Sequence, residues 1–272
     1  MNININMNNG TRLFVFLIIG IMFSLASCND DNDEPDPDTP PVELDVEITR
    51  GTVEDIEENV YETVIIGGQE WMAENLRTTM YRDGTPIEYI TDAGDWSLNT
   101  TGAYGLYHNQ ISNKEVYGAV YNHHAVANAA HLCPAGWRVP TGTDWAVLED
   151  HLRTVYGLSN HGANVGAVGN RLKSCRQVNS PKGAACNTTI HPRWNFHERH
   201  YGFDDFGFAA LPMGDRRSDG SYTGNPGAYA HWWSATANGP DEAIARYITY
   251  DNASLFSASS NKLNGYAVRC VK

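Results

Sequence analysis

Cysteine and histidine carry most of the reactive chemistry open to this 272-residue chain, which holds five of the first and ten of the second. Thiols stand at Cys28, Cys133, Cys175, Cys186 and Cys270, and each could be a disulfide partner, a nucleophile or an acceptor of a modifying group. The string "HERH", His197 to His200, looks at first like a zinc helix. A metalloprotease helix needs H-E-x-x-H, with two residues between Glu and the second His. His197 and His200 stand one residue closer, and no third ligand is dictated by spacing, so no metal site is expected. The chain also lacks G-x-S-x-G, a phosphate-binding P-loop and any carboxylate spacing that a mechanism demands. These absences point away from an enzyme and from a cofactor.

Cys28 has a context of its own. Residues 13–25, "LFVFLIIGIMFSL", are almost continuously apolar and follow Arg12, the one early cation. That is the layout of a secretory signal and is shorter than the ~20 residues of a comfortable membrane span. Leu25-Ala26-Ser27-Cys28 resembles the bacterial lipobox, in which a peptidase cuts before the cysteine and the thiol carries diacylglycerol. The resemblance implies a signal peptide over 1–27, lipidation of Cys28, and a protein anchored to a membrane without spanning it. Each buried CH2 of such an anchor contributes about 0.8 kcal/mol, and two or three chains suffice for stable attachment. An ordinary secretory signal cut near Ser27 is the alternative.

The net charge of −13 is unevenly placed. Loss of residues 1–27 removes Arg12 and gives −14. Asp30 to Glu62 holds 14 acidic residues against Arg50 alone, or −13, which leaves residues 63–272 at −1. The stretch over 28–60 adds Pro35, Pro37, Pro40 and Pro41 to this charge and reads as an extended, self-repelling tether. Its first acids, Asp30, Asp31, Asp33 and Glu34, resemble the signal that sends lipoproteins of Bacteroidetes-type bacteria to the outer face of the outer membrane. The expected location is therefore the outer membrane, exposed at the cell surface. A near-neutral domain with no basic stripe is not expected to bind nucleic acid.

Residues 61–272 form the domain, long enough for one sizeable core. Thr63 to Ile66 and Gln69 to Met72 flank Gly67-Gly68, a dipeptide suited to a tight hairpin. Asp83-Gly84 marks a turn, and "YGLYHN" and "GAVYNHHAV" read as strands. Thr141 with Asp144 three residues on is a variant capping box, and Trp145, Leu148, Leu152 and Val155 repeat at helical spacing up to Gly157. A second, shorter helix is expected over 165–173 with Val168 and Leu172 facing in. The class is α+β.

Seven ordered strings carry a resemblance: "YETVIIGGQEWMAENLRT", "GLYHN", "GAVYNHHAV", "LCPAGWRVPTGTDWAVLEDHL", "GFAALPMGDRRSDGSY", "HWWSAT" and "GYAVRCVK". Together they resemble the Fibrobacter succinogenes major paralogous domain, over residues 61–272. The resemblance implies a divergent C-type-lectin-like fold with two helices, short antiparallel strands and long loops, on secreted or lipid-anchored proteins. With Cys28 lipidated, four cysteines admit three pairings. The lectin-like fold brings its two termini together beside the main helices, which favours Cys133 with Cys270 and leaves Cys175 with Cys186 across a short insertion. Formylglycine-generating enzymes share the broad fold and use a thiol pair, but no neighbouring pattern supports that role for Cys175 and Cys186.

The Glu-Pro-Asn, Gln-Pro-Asp and Trp-Asn-Asp strings of calcium-dependent lectins are absent, so no calcium ligands carry over. What remains is "DRRSDGSYTGNPGAYAH", residues 215–231, rich in the Tyr, Ser, Gly and Asn that paratopes use. Trp194, Tyr201, Arg216, Tyr222, Tyr229 and Trp232 are the expected ligand-binding residues, for a glycan or a surface protein. The functional expectation is a non-enzymatic binding or adhesion module, with a structural accessory part of a surface assembly, or unrecognised loop-face chemistry, as alternatives.

Overall fold

A computed structural model describes residues 47–158, 168–223 and 226–272. The expected signal segment, Cys28 and the expected tether up to residue 46 lie outside these, as do residues 165–167 of the second expected helix and Gly224-Asn225 of the aromatic loop. In the first antiparallel sheet, β1 (Arg50–Glu54) pairs with β2 (Val60–Ile66), which pairs with β3 (Gln69–Met72). Gly67 and Gly68 both have left-handed φ, +60° and +80°, as a two-residue type I′ hairpin turn requires.

β1 corrects the expected boundary of the tether, which does not run to residue 60. Arg50 to Glu54 pairs with Val64 to Val60, and the acids that follow are hydrogen-bond acceptors within the fold. Asp55 accepts from the backbone N–H of Glu57 and Asn59 and, at 2.6 Å, from the Tyr61 hydroxyl. Glu57 accepts from the hydroxyls of Thr78 and Thr79. Average charge density cannot distinguish such a satisfied carboxylate from a solvated one.

A second small sheet follows, in which β4 (Glu88–Tyr89) runs parallel to β5 (Ala103–Gly105) and β5 antiparallel to β6 (Val120–Tyr121). Three short helices punctuate it: α1 (Ala93–Leu98), α2 (Ser112–Tyr117) and α3 (His123–Val126). The strands expected in "YGLYHN" and "GAVYNHHAV" are thus each formed over only two residues of the string. Residues 107–109 turn, and Asn122 caps α3 by accepting from the Ala125 N–H.

α4 (Gly142–Tyr156) begins with the full Thr141–Asp144 capping box and ends at Gly157 in the left-handed region. Trp145, Leu148 and Leu152 are buried, whereas Val155 stays 37 % exposed in the last turn. α5 (Val168–Leu172) buries Val168 and Leu172. β7 (Tyr229–Ala237), β8 (Glu242–Thr249) and β9 (Phe256–Asn261) then form the third, antiparallel sheet. The protein is accordingly mixed α and β, with few helices and small sheets.

Residues 266–271 join these parts. Val271 bridges to Trp71 of β3 and to Arg138, Tyr266 to Tyr121 of β6, and Ala267 to Trp232 of β7. Disulfides form between Cys133 and Cys270 and between Cys175 and Cys186, with Cα separations of 5.9 and 5.1 Å. Inside, the rings of Trp71, Trp145, Phe208 and Trp232 pack at centroid distances from 4.8 to 6.2 Å.

Buried beside this cluster, the Asn75 side chain accepts from Trp232 Nε1 and from Arg269 Nε, both at 2.9 Å, and donates to the Tyr117 carbonyl. Replacing Asn75 by Ala strands two buried donors and one acceptor. We expect a loss of roughly 3–5 kcal/mol of unfolding free energy in urea. A loss below about 1 kcal/mol would show that the carboxamide is not the connector described.

Candidate functional site

Three of the six expected contact residues are interior. Trp232 and Trp194 are fully buried, with Nε1 donating to Asn75 Oδ1 and to the Ala210 carbonyl respectively. Arg216 is equally buried: it donates to the carbonyls of Gly220, Ile90, Thr91 and Asp92 and lies 4.2 Å over the Trp96 ring. All three are corrected from ligand contacts to supports. The loop composition is that of a binding surface, but Arg216 is consumed in holding the loop and both indoles belong to the core. Tyr201 is half-buried, with its ring 5.0 Å from Phe203.

Tyr222 and Tyr229 keep some exposure, and each belongs to a ring cluster. Along the third sheet, His231 of β7 lies opposite Tyr247 of β8, which lies opposite Phe256 of β9. Directly opposed residues share a face. Their rings therefore stack in order, with Tyr266 4.8 Å from His231, His231 5.2 Å from Tyr247, and Tyr247 4.9 Å from Phe256, all within 26° of parallel. Tyr229, 42 % exposed, flanks His231 at 6.0 Å.

A polar corner links this ladder to the second cluster. Asp215 accepts from Thr223 Oγ1 at 2.6 Å and stands 3.5 Å from His231 Nδ1, an atom with no hydrogen-bond partner. The Thr223 carbonyl accepts from the Tyr107 hydroxyl, and Tyr107 meets Tyr222 edge-on at 5.7 Å. Tyr222 in turn donates to Asn109 and lies beside His108. Asp215 and Tyr107 are themselves buried, so this corner supports the rings, and the surface left for a ligand is that of Tyr229 with half-buried Tyr222, His231, Tyr247 and Phe256.

The clefts of the domain offer less. A cleft of about 320 Å³ is lined by Arg50, Glu62, Glu74, Arg77, Glu115 and Arg269 among others. Its charges pair with one another, Arg50 with Glu62 at 3.1 Å and Arg77 with Glu74 at 2.8 Å and Glu115 at 3.3 Å. His197 and His200 lie in a turn, where His197 Nδ1 accepts from the backbone N–H of Arg199 and His200. Among the described residues, no group of three or more His, Cys, Asp or Glu could hold a metal ion, and no helix is long and apolar enough to cross a membrane.

The sequence profile of the Fibrobacter succinogenes major domain matches residues 64–272. The chain belongs to the Fibrobacter succinogenes major domain family. No curated protein and no solved structure matches it. Membership accounts for the ordered strings, and the structure shows what several of them do in this Fibrobacter succinogenes major domain. "HWWSAT" supplies two buried indoles and "GYAVRCVK" the closing segment with its buried guanidinium.

Sequence reasoning missed Tyr107, His231, Tyr247 and Phe256. Within β8, Tyr247 sits between buried Arg246 and Ile248, which marks a strand face, but the pairing that stacks it on His231 and Phe256 is a matter of register. Buried titrating groups in the domain oppose one another. Burial pushes His123 down to about 4, against the effect of its bond to the Ser234 carbonyl, whereas burial pushes Asp204 up to about 7. His123 is lowered in the folded state, so its contribution is full above the unfolded pKa of ~6.5 and is lost as pH falls toward 4. Asp204 is raised, so it has the opposite slope between about 4 and 7. We expect His123→Gln, which retains a donor for Ser234, to flatten the fall of unfolding free energy between pH 6.5 and 4 by about one proton, or ~1.4 kcal/mol per pH unit. Parallel curves for variant and parent would refute the buried neutral imidazole.

Proposed function

We propose that this protein is a lipid-anchored, cell-surface binding module that recognises a glycan or a protein, with a domain that is a divergent C-type-lectin-like fold. The observation that carries the reading is the ladder of Tyr229, His231, Tyr247 and Phe256, at the edge of which lies the Asp215–Thr223 corner. Stacked rings offer apolar area at small entropic cost, and the tyrosine hydroxyls among them set orientation. The meeting of β3 with Val271, beside α4 and under the Cys133–Cys270 bridge, supports the lectin-like reading, in which the two ends of the domain come together. The lipobox-like string before Cys28 and the acidic run after it support the anchor and the surface location.

Ligand binding is tested with a glycan array and a pull-down against surface proteins, using the Cys28→Ser chain. Tyr229→Ala and Tyr247→Ala should each weaken saturable binding about tenfold or more, and Tyr229→Ala, at an exposed position, should leave the melting temperature of the fold nearly unchanged. Unchanged binding by both variants would remove the ladder from the site.

Anchoring has a separate test. Cys28→Ser should leave the chain unacylated and absent from the membrane fraction, as read by fractionation and mass spectrometry of the amino-terminal peptide. Lipid still attached in the variant would reject the assignment.

A further inference from the structure

The third sheet ends at β9, and among the described residues only β8 pairs with that strand. An edge strand presents a row of backbone N–H and C=O groups on its open side, and proteins normally blunt such edges with charge, proline or a bulge. β1, the outer strand of the first sheet, follows this rule with exposed Arg50 and Glu54 at its two ends. β9 does not. It reads Phe-Ser-Ala-Ser-Ser-Asn, with no charge and no proline, and it keeps an unbroken register with β8 over all six residues. Its side chains alternate between half-buried Phe256, Ala258 and Ser260 and exposed Ser257, Ser259 and Asn261.

We propose that β9 pairs antiparallel with β9 of a second copy of this chain, about a two-fold axis at Ala258, so that two three-stranded sheets become one continuous sheet. The strand suits itself. Opposed residues in an antiparallel pair share a face, which confines Phe256, Ala258 and Ser260 to meeting one another. With Ala258 on the axis, Phe256 faces Ser260 of the partner subunit and Ser257 faces Ser259 of the partner subunit. A two-fold contact sets the residue on its axis against its own copy, so a charge at Ala258 would meet a like charge, and β9 carries none. Small Ala and Ser side chains let two backbones approach to the ~4.8 Å of neighbouring strands. Phe256 also terminates the ring ladder, and the added strand would cover the side of that ring turned away from Tyr247.

The pairing places the two Ala258 Cα atoms about 4.5–5.5 Å apart, inside the range a disulfide spans. In the full chain carrying Cys28→Ser, Ala258→Cys should therefore form an intermolecular disulfide under mild oxidation. Leu98→Cys, at an 81 % exposed position on α1, serves as the control and should not. Light scattering of the Cys28→Ser chain should give the mass of two chains at high concentration, and Ala258→Lys should return it to one with an unchanged melting temperature. A single-chain mass at every concentration, or cross-linking through Ala258→Cys no faster than through Leu98→Cys, would overturn the proposal. So would a dimer that survives Ala258→Lys.

Discussion

Buried cations holding loop carbonyls are the interaction on which this structure depends. Long stretches of the domain lie outside helices and strands, and their backbone groups still need partners wherever they are buried. Arg216 supplies donors to four carbonyls, Arg269 to those of Phe208 and Ala209, Arg82 to those of Cys133 and Trp137, and Arg176 to those of Pro192 and Ile190. Lys173 does the same with the carbonyls of Tyr250 and Asn252 and the side chain of Asn170. A charged donor strengthens each bond roughly twofold over a neutral one. Aromatic faces supply the remaining solvation: Trp96 under Arg216, Phe208 under Arg269, and Tyr156 and Phe203 beside Arg171.

This arrangement explains why the loop that looks most like a binding surface is in large part scaffold. Arg216 ties residues 216–220 to residues 90–92, and Tyr222 packs on both Arg216 and Tyr107. Asp215 is held by Thr223, and Thr223 by Tyr107. The rings left accessible are therefore mounted on a fixed frame, and a ligand that used them would meet little further ordering cost.

How much of this was legible in the sequence depends on the range of the interaction. Local signals read well: Gly67-Gly68, the Thr141–Asp144 box and the Gly157 terminator each depend on residues within a few positions. The strands in "YGLYHN" and "GAVYNHHAV" were over-read because Asn122 and the residues after Leu106 satisfy the backbone by turning. The disulfide pairing was legible only through the family resemblance and the lectin-like fold expected from it. The roles of Trp194, Arg216 and Trp232 were not legible, because burial of a polar or aromatic residue depends on acceptors that lie as far as 157 positions away. The ladder escaped for the same reason, since stacking across β7, β8 and β9 follows from register and no one strand contains it.

Lys173 shows how far the principle extends. Burial lowers its ammonium to about 7, with Asp251 opposing the shift, so solvation alone disfavours the charge. Yet three oxygens surround Nζ at 2.9 to 3.4 Å, and a neutral amine has only two hydrogens to give them. The protonated form satisfies all three acceptors, and the ring of Trp194 lies 5.3 Å away as a further favourable surface. Loss of that proton would leave one buried acceptor on residues 250–252 or Asn170 without its partner. These residues connect β8 to β9 and face α5, so the charge of one buried lysine couples the position of the third sheet to that of the helix. In this domain a cation at the centre of a loop substitutes for the regular hydrogen-bond ladder that the short strands cannot provide.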